Sequence, residues 1–388
     1  MNPKIKYSIL ILPILAVAFA LRFLIDILAG NTMVSDEAFY ATAANSLLHG
    51  TAANFEHPPL VKLIMAGTIG LLGNNWLAWR LPIIVFAVIA TFATYKIGKT
   101  FLSENQAIYA TALLSTSTIF FLVGSIGLLD IPMIAFSLAG LYLTIKGKYK
   151  SAALMFGLGF LCKELAIAYA FAAFTYLIIK KVNFRKLYIP ILIFTATILA
   201  GLGIYDLFYQ QTVYGLTITN PIQQAAAIAL YQFKLNSQRI LNPYPAYPPI
   251  GWVTPFGAHA LNYQLWAIGY SGSHPIVQWL MTPNPFIEYT MFPLLVALPI
   301  MYHKTKENIP LLLWLTLSFT YIPWLIAGCF FKMESPFYID SAVPILALGI
   351  TYMLTKIKKQ RTRRTIMILY FLASATFFIY YFPLNFWR

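Results

Sequence analysis

Long apolar runs, separated by short polar connections, dominate the chain. They fall at about 8–29, 77–95, 106–124, 128–145, 151–162, 165–179, 187–208, 289–302, 309–330, 337–355 and 365–384. Several exceed the ~20 residues that a membrane-spanning helix needs, whereas 151–162 and 289–302 are short. Neither strict alternation nor a one-sided stripe is needed when lipid surrounds a helix, because both faces are then apolar. The pattern predicts an all-α integral membrane protein of about eleven crossings, built as a single polytopic domain over 1–388. No internal repeat is evident.

Two connections are long. The first, 30–76, contains a predicted short helix from Glu37 to Leu48 and a second apolar helix from about Pro59 to Leu72. The latter is short for a crossing and reads as interfacial. The other, 210–288, is rich in Pro, Tyr, Trp, Gln and Asn. It is expected to lie on the outer face as interfacial helices and loops, with aromatics at headgroup level. Lys4 and Lys6 before an apolar run resemble a signal peptide. That run continues to Leu28, so an uncleaved first span is the expectation.

Composition agrees: 60% of the 388 residues are hydrophobic and 10% charged, with a mean hydropathy of +0.71. A soluble surface of this size needs many more charges. The net charge of +15 raises the question of nucleic acid, but the placement of the basic residues answers it. With the N-terminus cytoplasmic, alternate connections hold Lys4 and Lys6; Lys96 and Lys99; Lys146, Lys148 and Lys150; Lys180, Lys181, Arg185 and Lys186; Lys304 and Lys306; and Lys356, Lys358, Lys359, Arg361, Arg363 and Arg364. These are 19 of the 27 basic residues, as the positive-inside rule requires. The excess charge is thus a topology signal, and no nucleic-acid partner is expected. The C-terminus falls outside. Cys162 and Cys329 are too few for a disulfide framework or a zinc site and read as packing residues.

Of the 12 acidic residues, only Glu104 and Glu307 fall in cytoplasmic connections. The rest gather at the outer side with Arg22, Lys62, Arg80, Lys163, Lys234, Arg239, Lys332 and Arg388. Mixed charge close to hydrocarbon on one side marks a site. Ser35-Asp36-Glu37 offers two adjacent carboxylates, one to take a proton and one to position a partner. The competing reading makes Ser35 or Asp36 a helix N-cap. Glu56-His57-Pro58-Pro59-Leu60-Val61-Lys62 fixes a rigid turn that projects His57 and Lys62; the plain alternative is a Pro-initiated helix with a snorkelling lysine. Arg80 can grip a phosphate with two parallel hydrogen bonds or snorkel to headgroups. Asp130, Lys163-Glu164, Lys332, Glu334, Tyr338 and Asp340 sit at further outer turns, where a simple polar marker is the alternative. Gathered on one side of one bundle, carboxylates with Arg and Lys suit a phosphate-bearing lipid donor and a hydroxyl acceptor.

Asp36-Glu37 after the first span, His57-Pro58-Pro59-Leu60-x-Lys62, Arg80-Leu81, Leu129-Asp130 and Lys163 resemble the protein O-mannosyltransferase family and its bacterial relatives that attach aminoarabinose to lipid A. Asn284-Pro285-Phe286 and the stretch from Phe337-Tyr338-Ile339 to Pro344 are similar to that family's C-terminal half. The resemblance implies the C-type glycosyltransferase fold and a polyprenyl- or dolichyl-phosphate sugar donor, with mannose the expected sugar. It implies an active site on the non-cytoplasmic face. Asp36 would be the base and Glu37 its neighbour at donor or acceptor. Arg80, with Lys62, Lys163 and Lys332, would hold the donor phosphate; His57, Asp130, Glu164 and Tyr338 would complete the site. The 210–288 segment is too short for the lumenal β-trefoil insert of eukaryotic members. That favours a prokaryotic, archaeal-like plasma-membrane enzyme and leaves protein Ser/Thr and a lipid-linked glycan as competing acceptors. No cofactor is required by this scheme; a divalent cation among His57, Glu37 and Asp130 is compatible with it, but no spacing demands one. The rival class, a lipid or ion transporter, would place its ionisable groups near the midplane, where only Arg22, Asp26 and Asp206 qualify.

Overall fold

The structure, a computed structural model, describes residues 10–213, 216–239, 249–254, 267–270, 277–330 and 336–384. Helices run through every predicted apolar stretch: α1 Ile11–Ala29, α2 Glu37–Leu48, α3 Leu60–Leu72, α4 Trp76–Gly98, α5 Glu104–Ser115, α6 Thr118–Val123, α7 Asp130–Ile145, α8 Tyr149–Cys162, α9 Ala166–Ile179 and α10 Tyr188–Phe208. After them come α11 Pro221–Arg239, α12 Met291–Thr305, α13 Asn308–Phe330, α14 Val343–Thr355 and α15 Gln360–Tyr380. Six helical segments are long and apolar enough to cross a membrane: Ile11–Ala29, Trp76–Gly98, Phe184–Phe208, Asn308–Phe330, Phe337–Thr355 and Gln360–Tyr380. Leu60–Leu72, Asp130–Ile145, Tyr149–Cys162 and Ala166–Ile179 are apolar but shorter. Length alone therefore supports fewer crossings than the eleven that charge alternation predicts.

The short helices of the first outer segment begin and end on their local chemistry. Pro59 occupies the N-cap of α3, where a missing N–H is harmless, and Gly73 ends it at φ 80°. Asn75 then caps α4 by accepting from the Leu77 and Ala78 amides. The predicted 106–124 run is broken at Thr116-Ser117. Ser117 stops one helix and caps the next by accepting from Phe120 N at 3.1 Å. The all-α expectation needs one correction. Short antiparallel hairpins, β1 Gln211–Val213 with β2 Leu216–Ile218 and β3 Ala267–Tyr270 with β4 Gln278–Leu280, lie in the 210–288 segment. Thr212, Val213, Thr217 and Ile218 are β-branched and favour that geometry.

The main core is an apolar cluster that joins α1–α9 to α12–α14, with a small second cluster at Ile11, Tyr95 and Ala107. Tight helix approach depends on small residues: a Cβ on Gly140 of α7 would lie 2.5 Å from the Phe156 ring of α8. α10 and α15 are largely uncovered by protein, with only 11% of their apolar windows buried, as expected of lipid-facing helices. Asp130, Lys163 and the 30–60 segment fall at one end of this bundle. Lys99, Lys146 and Lys180, at the far ends of α4, α7 and α9, fall at the other.

Candidate active site

Ser35 adopts a left-handed conformation, φ 54°, which for a non-glycine residue carries a strain of order 1–3 kcal/mol. The twist sends the next two carboxylates in opposite directions. Asp36 occupies the N-cap of α2 but makes no capping bond through its side chain. The capping alternative therefore does not describe it. Its carboxylate instead lines a cavity of about 270 Å³ with Glu56, His57, Lys163, Glu164 and Tyr338.

Glu37 turns inward and is 0% exposed. Its Oε1 accepts from Arg80 Nε at 2.8 Å and from the Gly127 amide at 2.8 Å. Its Oε2 accepts from Arg80 Nη2 at 2.7 Å and from the Val34 amide at 3.1 Å. A Cβ on Gly127 would stand 2.9 Å from Oε1, so glycine is what lets that amide approach. Arg80 also donates from Nη1 and Nη2 to the Gly30 and Thr32 carbonyls, at 3.3 and 2.6 Å. Asp26 stands 3.7 Å from Nη1. Arg80 is fully buried, and every arm of its fork is taken. Neither Arg80 nor Glu37 lines the cavity.

Lys62 is likewise withdrawn. Its ammonium donates to the Asn54 carbonyl, to Asn54 Oδ1 at 3.3 Å and to the His57 carbonyl at 2.8 Å. It thus pins the loop that carries His57. Asn54, at φ 53°, is the kind of residue that tolerates this conformation best.

Two of the cavity's charges, Lys163 and His57, are paired with acids. Lys163 donates to Asp130 Oδ1 at 2.6 Å and lies over the Phe337 and Tyr338 rings at 5.5 and 5.6 Å. Burial works against its charge, but Asp130 and the neighbouring acids outweigh that and raise its pKa. His57 Nδ1 meets Glu164 Oε2 at 2.9 Å. Burial would raise the Glu164 carboxyl, yet His57 and Lys163 hold it below the usual value. Asp36 differs: burial pushes its pKa up, Lys163 opposes, and Asp130 adds to the rise.

Several walls of the cavity have no counterpart among the sequence candidates. α11 roofs it: Tyr231 donates to Glu56 Oε1 at 2.8 Å, and Gln232 to the Glu56 carbonyl at 3.1 Å. Tyr40 lies one helical turn beyond Asp36, a spacing that could have flagged it. Trp324 of α13 stacks on Tyr338 with centroids 4.5 Å apart; no local signal announces it. Lys332 and Glu334 lie outside the described residues. Asp340 is buried without a hydrogen-bond partner for either side-chain oxygen among the described residues and does not line the cavity. Among the described residues no group of three or more His, Cys, Asp or Glu is placed to hold a metal. Glu37, drawn onto Arg80, is turned away from His57, which removes one of the three ligands considered for a cation.

Several solved structures share this fold. The O-mannosyltransferase Pmt1-Pmt2 complex of S. cerevisiae, solved with its sugar donor, aligns over 97% of this chain and 90% of its own at 11% identity, with a TM-score of 0.73. ArnT from Cupriavidus metallidurans aligns over 92% of this chain at 12% identity, with a TM-score of 0.59; this chain spans 62% of its length. The Archaeoglobus fulgidus oligosaccharyltransferase AglB, in complex with an inhibitory peptide and a dolichol-phosphate, gives a TM-score of 0.52 at 12% identity. It is covered over 55% of its length, by 95% of this chain. The fold is therefore that of the C-type glycosyltransferases. More narrowly, residues 56–205 match the family described as dolichyl-phosphate-mannose-protein mannosyltransferase, the family whose motifs the sequence resembles. No curated protein matches.

Proposed function

We propose that this chain is a membrane glycosyltransferase that moves a sugar, with mannose the first candidate, from a polyprenyl- or dolichyl-phosphate donor to an acceptor hydroxyl. Protein Ser/Thr is the favoured acceptor and a lipid-linked glycan the alternative. The observation that carries this reading is Asp36: a carboxylate unused by its own helix, facing a polar cavity beside a lysine. An acceptor hydroxyl is a poor nucleophile until a base begins to take its proton. Asp36 takes that proton as the hydroxyl oxygen bonds to the anomeric carbon. The bond from that carbon to the phosphate oxygen breaks, and its electron pair leaves with the lipid phosphate. Attack opposite the phosphate inverts the anomeric centre. The departing phosphate is already a stable anion, so no general acid is needed, unlike in glycoside hydrolysis. Lys163 faces the cavity and stabilises the charge that develops there. The Trp324–Tyr338 stack presents apolar faces suited to one side of a sugar ring.

Arg80 and Glu37 act in this scheme as a bracket. Their pair fixes the 34–37 turn so that Asp36, and not Glu37, faces the cavity, and Lys62 similarly fixes His57. The cavity end of the bundle is the non-cytoplasmic face, with the N-terminus cytoplasmic and 1–388 forming one polytopic domain. The test is sugar transfer by the purified full chain in proteoliposomes, given a panel of polyprenyl-phosphate sugars with a Ser/Thr peptide or a lipid-linked glycan as acceptor. Transfer with inversion is the expected result, and the acceptor arm that gains sugar decides between the alternatives. Donor binding without transfer to either acceptor would remove the proposal.

A further inference from the structure

A second cavity runs from near Ile167 toward the opposite end of the bundle and has no part in the chemistry above. It is a crevice of about 320 Å³ between α9 and α10, floored by α7 and α8. Its volume is roughly twice that of an engineered ~150 Å³ protein cavity that takes up benzene. α10 packs along α8 and barely meets α9, so the two helices diverge and leave a wedge open toward the lipid. The floor is formed by Ala152, Ala153 and Phe156, and the walls by Phe171, Ala173, Ile191 and Phe194. Phe171 and Ile191 are 50% and 40% exposed at its mouth. The crevice is apolar almost throughout.

Its rim is the reverse. Thr144, Tyr149, Leu177 and Leu187 end the crevice, and the two connections that follow them carry only positive charge. One holds Lys146, Lys148 and Lys150, the other Lys180, Lys181, Arg185 and Lys186; no acid lies between residues 131 and 195 except Glu164 at the far end of α8. Lys180 donates to Asn308. Glu307, the acid nearest to Asn308 in sequence, is already held by Lys356 at 2.9 Å and by Tyr352 at 2.5 Å. Seven cations thus flank an apolar slot.

We infer that this crevice is a binding site for an anionic phospholipid, with an acyl chain in the slot and the phosphate among the lysines and arginine of the rim. An apolar cleft between helices beneath a basic cluster is the arrangement that captures anionic headgroups. The basic rim is not the site of the donor phosphate. Lys148 and Lys163 stand at opposite ends of α8, and its 14 residues put about 20 Å between the rim and the cavity lysine at 1.5 Å per residue. Binding is independent of the proposed transferase activity; only the assignment to the cytoplasmic leaflet rests on the proposed orientation.

The purified full chain in detergent, titrated with dioleoyl-phosphatidylglycerol or dioleoyl-phosphatidylcholine and followed by native mass spectrometry, tests this. The phosphatidylglycerol adduct is expected to be retained at least fivefold better than the phosphatidylcholine adduct. Lys180→Gln/Lys181→Gln/Arg185→Gln/Lys186→Gln, changes confined to exposed side chains, should abolish that preference. Ala173→Phe, which fills the slot, should reduce retention of both lipids, with an unchanged thermal midpoint as the folding control. Equal retention of the two lipids by the wild type, or a preference that survives the fourfold charge removal, would overturn the inference.

Discussion

Two neighbouring groups of charges at one end of the bundle are built on opposite terms. In the Glu37–Arg80 bracket the bonding is dense: both carboxylate oxygens accept twice, and all three guanidinium nitrogens donate. In the cavity 270 Å³ of space adjoins Asp36, whose side chain does not even cap its own helix. The difference shows how a low-dielectric protein divides adjacent carboxylates. A fully bonded group is fixed and can do nothing but hold. A group left with unfilled acceptor capacity beside a cavity is free to receive a proton from something not yet there. The two carboxylates are adjacent in sequence, and the left-handed Ser35 stands just before them.

The largest expected effect comes from removing the free carboxylate. Asp36→Asn keeps size and hydrogen-bonding reach but deletes the base, so sugar transfer should fall by about 10²–10⁴-fold. The thermal midpoint should hardly move, because no capping bond is lost. Measuring both on one preparation separates the roles: a folded variant with near-normal transfer would show that Asp36 is not the base.

The bracket should respond in the opposite currency. Arg80→Met leaves the Glu37 carboxylate buried without its partner, a loss of about 3–5 kcal/mol in stability. Glu37→Met together with Arg80→Met should recover much of that, since two apolar side chains leave no charge stranded. Thermal unfolding in detergent reads both. If Arg80→Met keeps the wild-type midpoint and loses only donor use, Arg80 is a phosphate ligand and the bracket reading fails.

The smallest effect is a displacement of the pH profile. Burial raises the Asp36 pKa and Lys163 opposes the rise. A base must be unprotonated to work, so transfer should be full at higher pH and decline as pH falls through the raised value. That decline should come above the ~3.9 of an ordinary aspartate. Lys163→Met removes the opposing charge and should move the acid limb further up, whatever it does to the maximum rate. An acid limb that stays in place in Lys163→Met would separate Asp36 from the lysine.

The order of apolar runs was enough to place the helices, because hydrophobic length and charge alternation are local properties that a membrane reads directly. Glu37–Leu48 is the helix expected there, and Leu60–Leu72 starts one residue later than the sequence suggested, since Pro59 serves as its cap. Asp36, His57, Lys163, Glu164 and Tyr338 were likewise visible as polar residues stranded at outer turns, and they share one cavity. Which way each side chain points was not legible. Asp36 and Glu37 look alike in sequence; only Arg80, 43 residues away from Glu37, and the bare backbone at Gly127 decide that one is bound and the other free. Tyr231 and Trp324 carry no local mark either. They reach the cavity through packing of α11 and α13, and a pairing such as Tyr231 with Glu56, 175 residues apart, leaves no periodicity for a sequence to display. Local chemistry therefore determined the elements and the candidates, while the division between holding and reacting groups depended on partners that only the folded bundle brings within hydrogen-bond range.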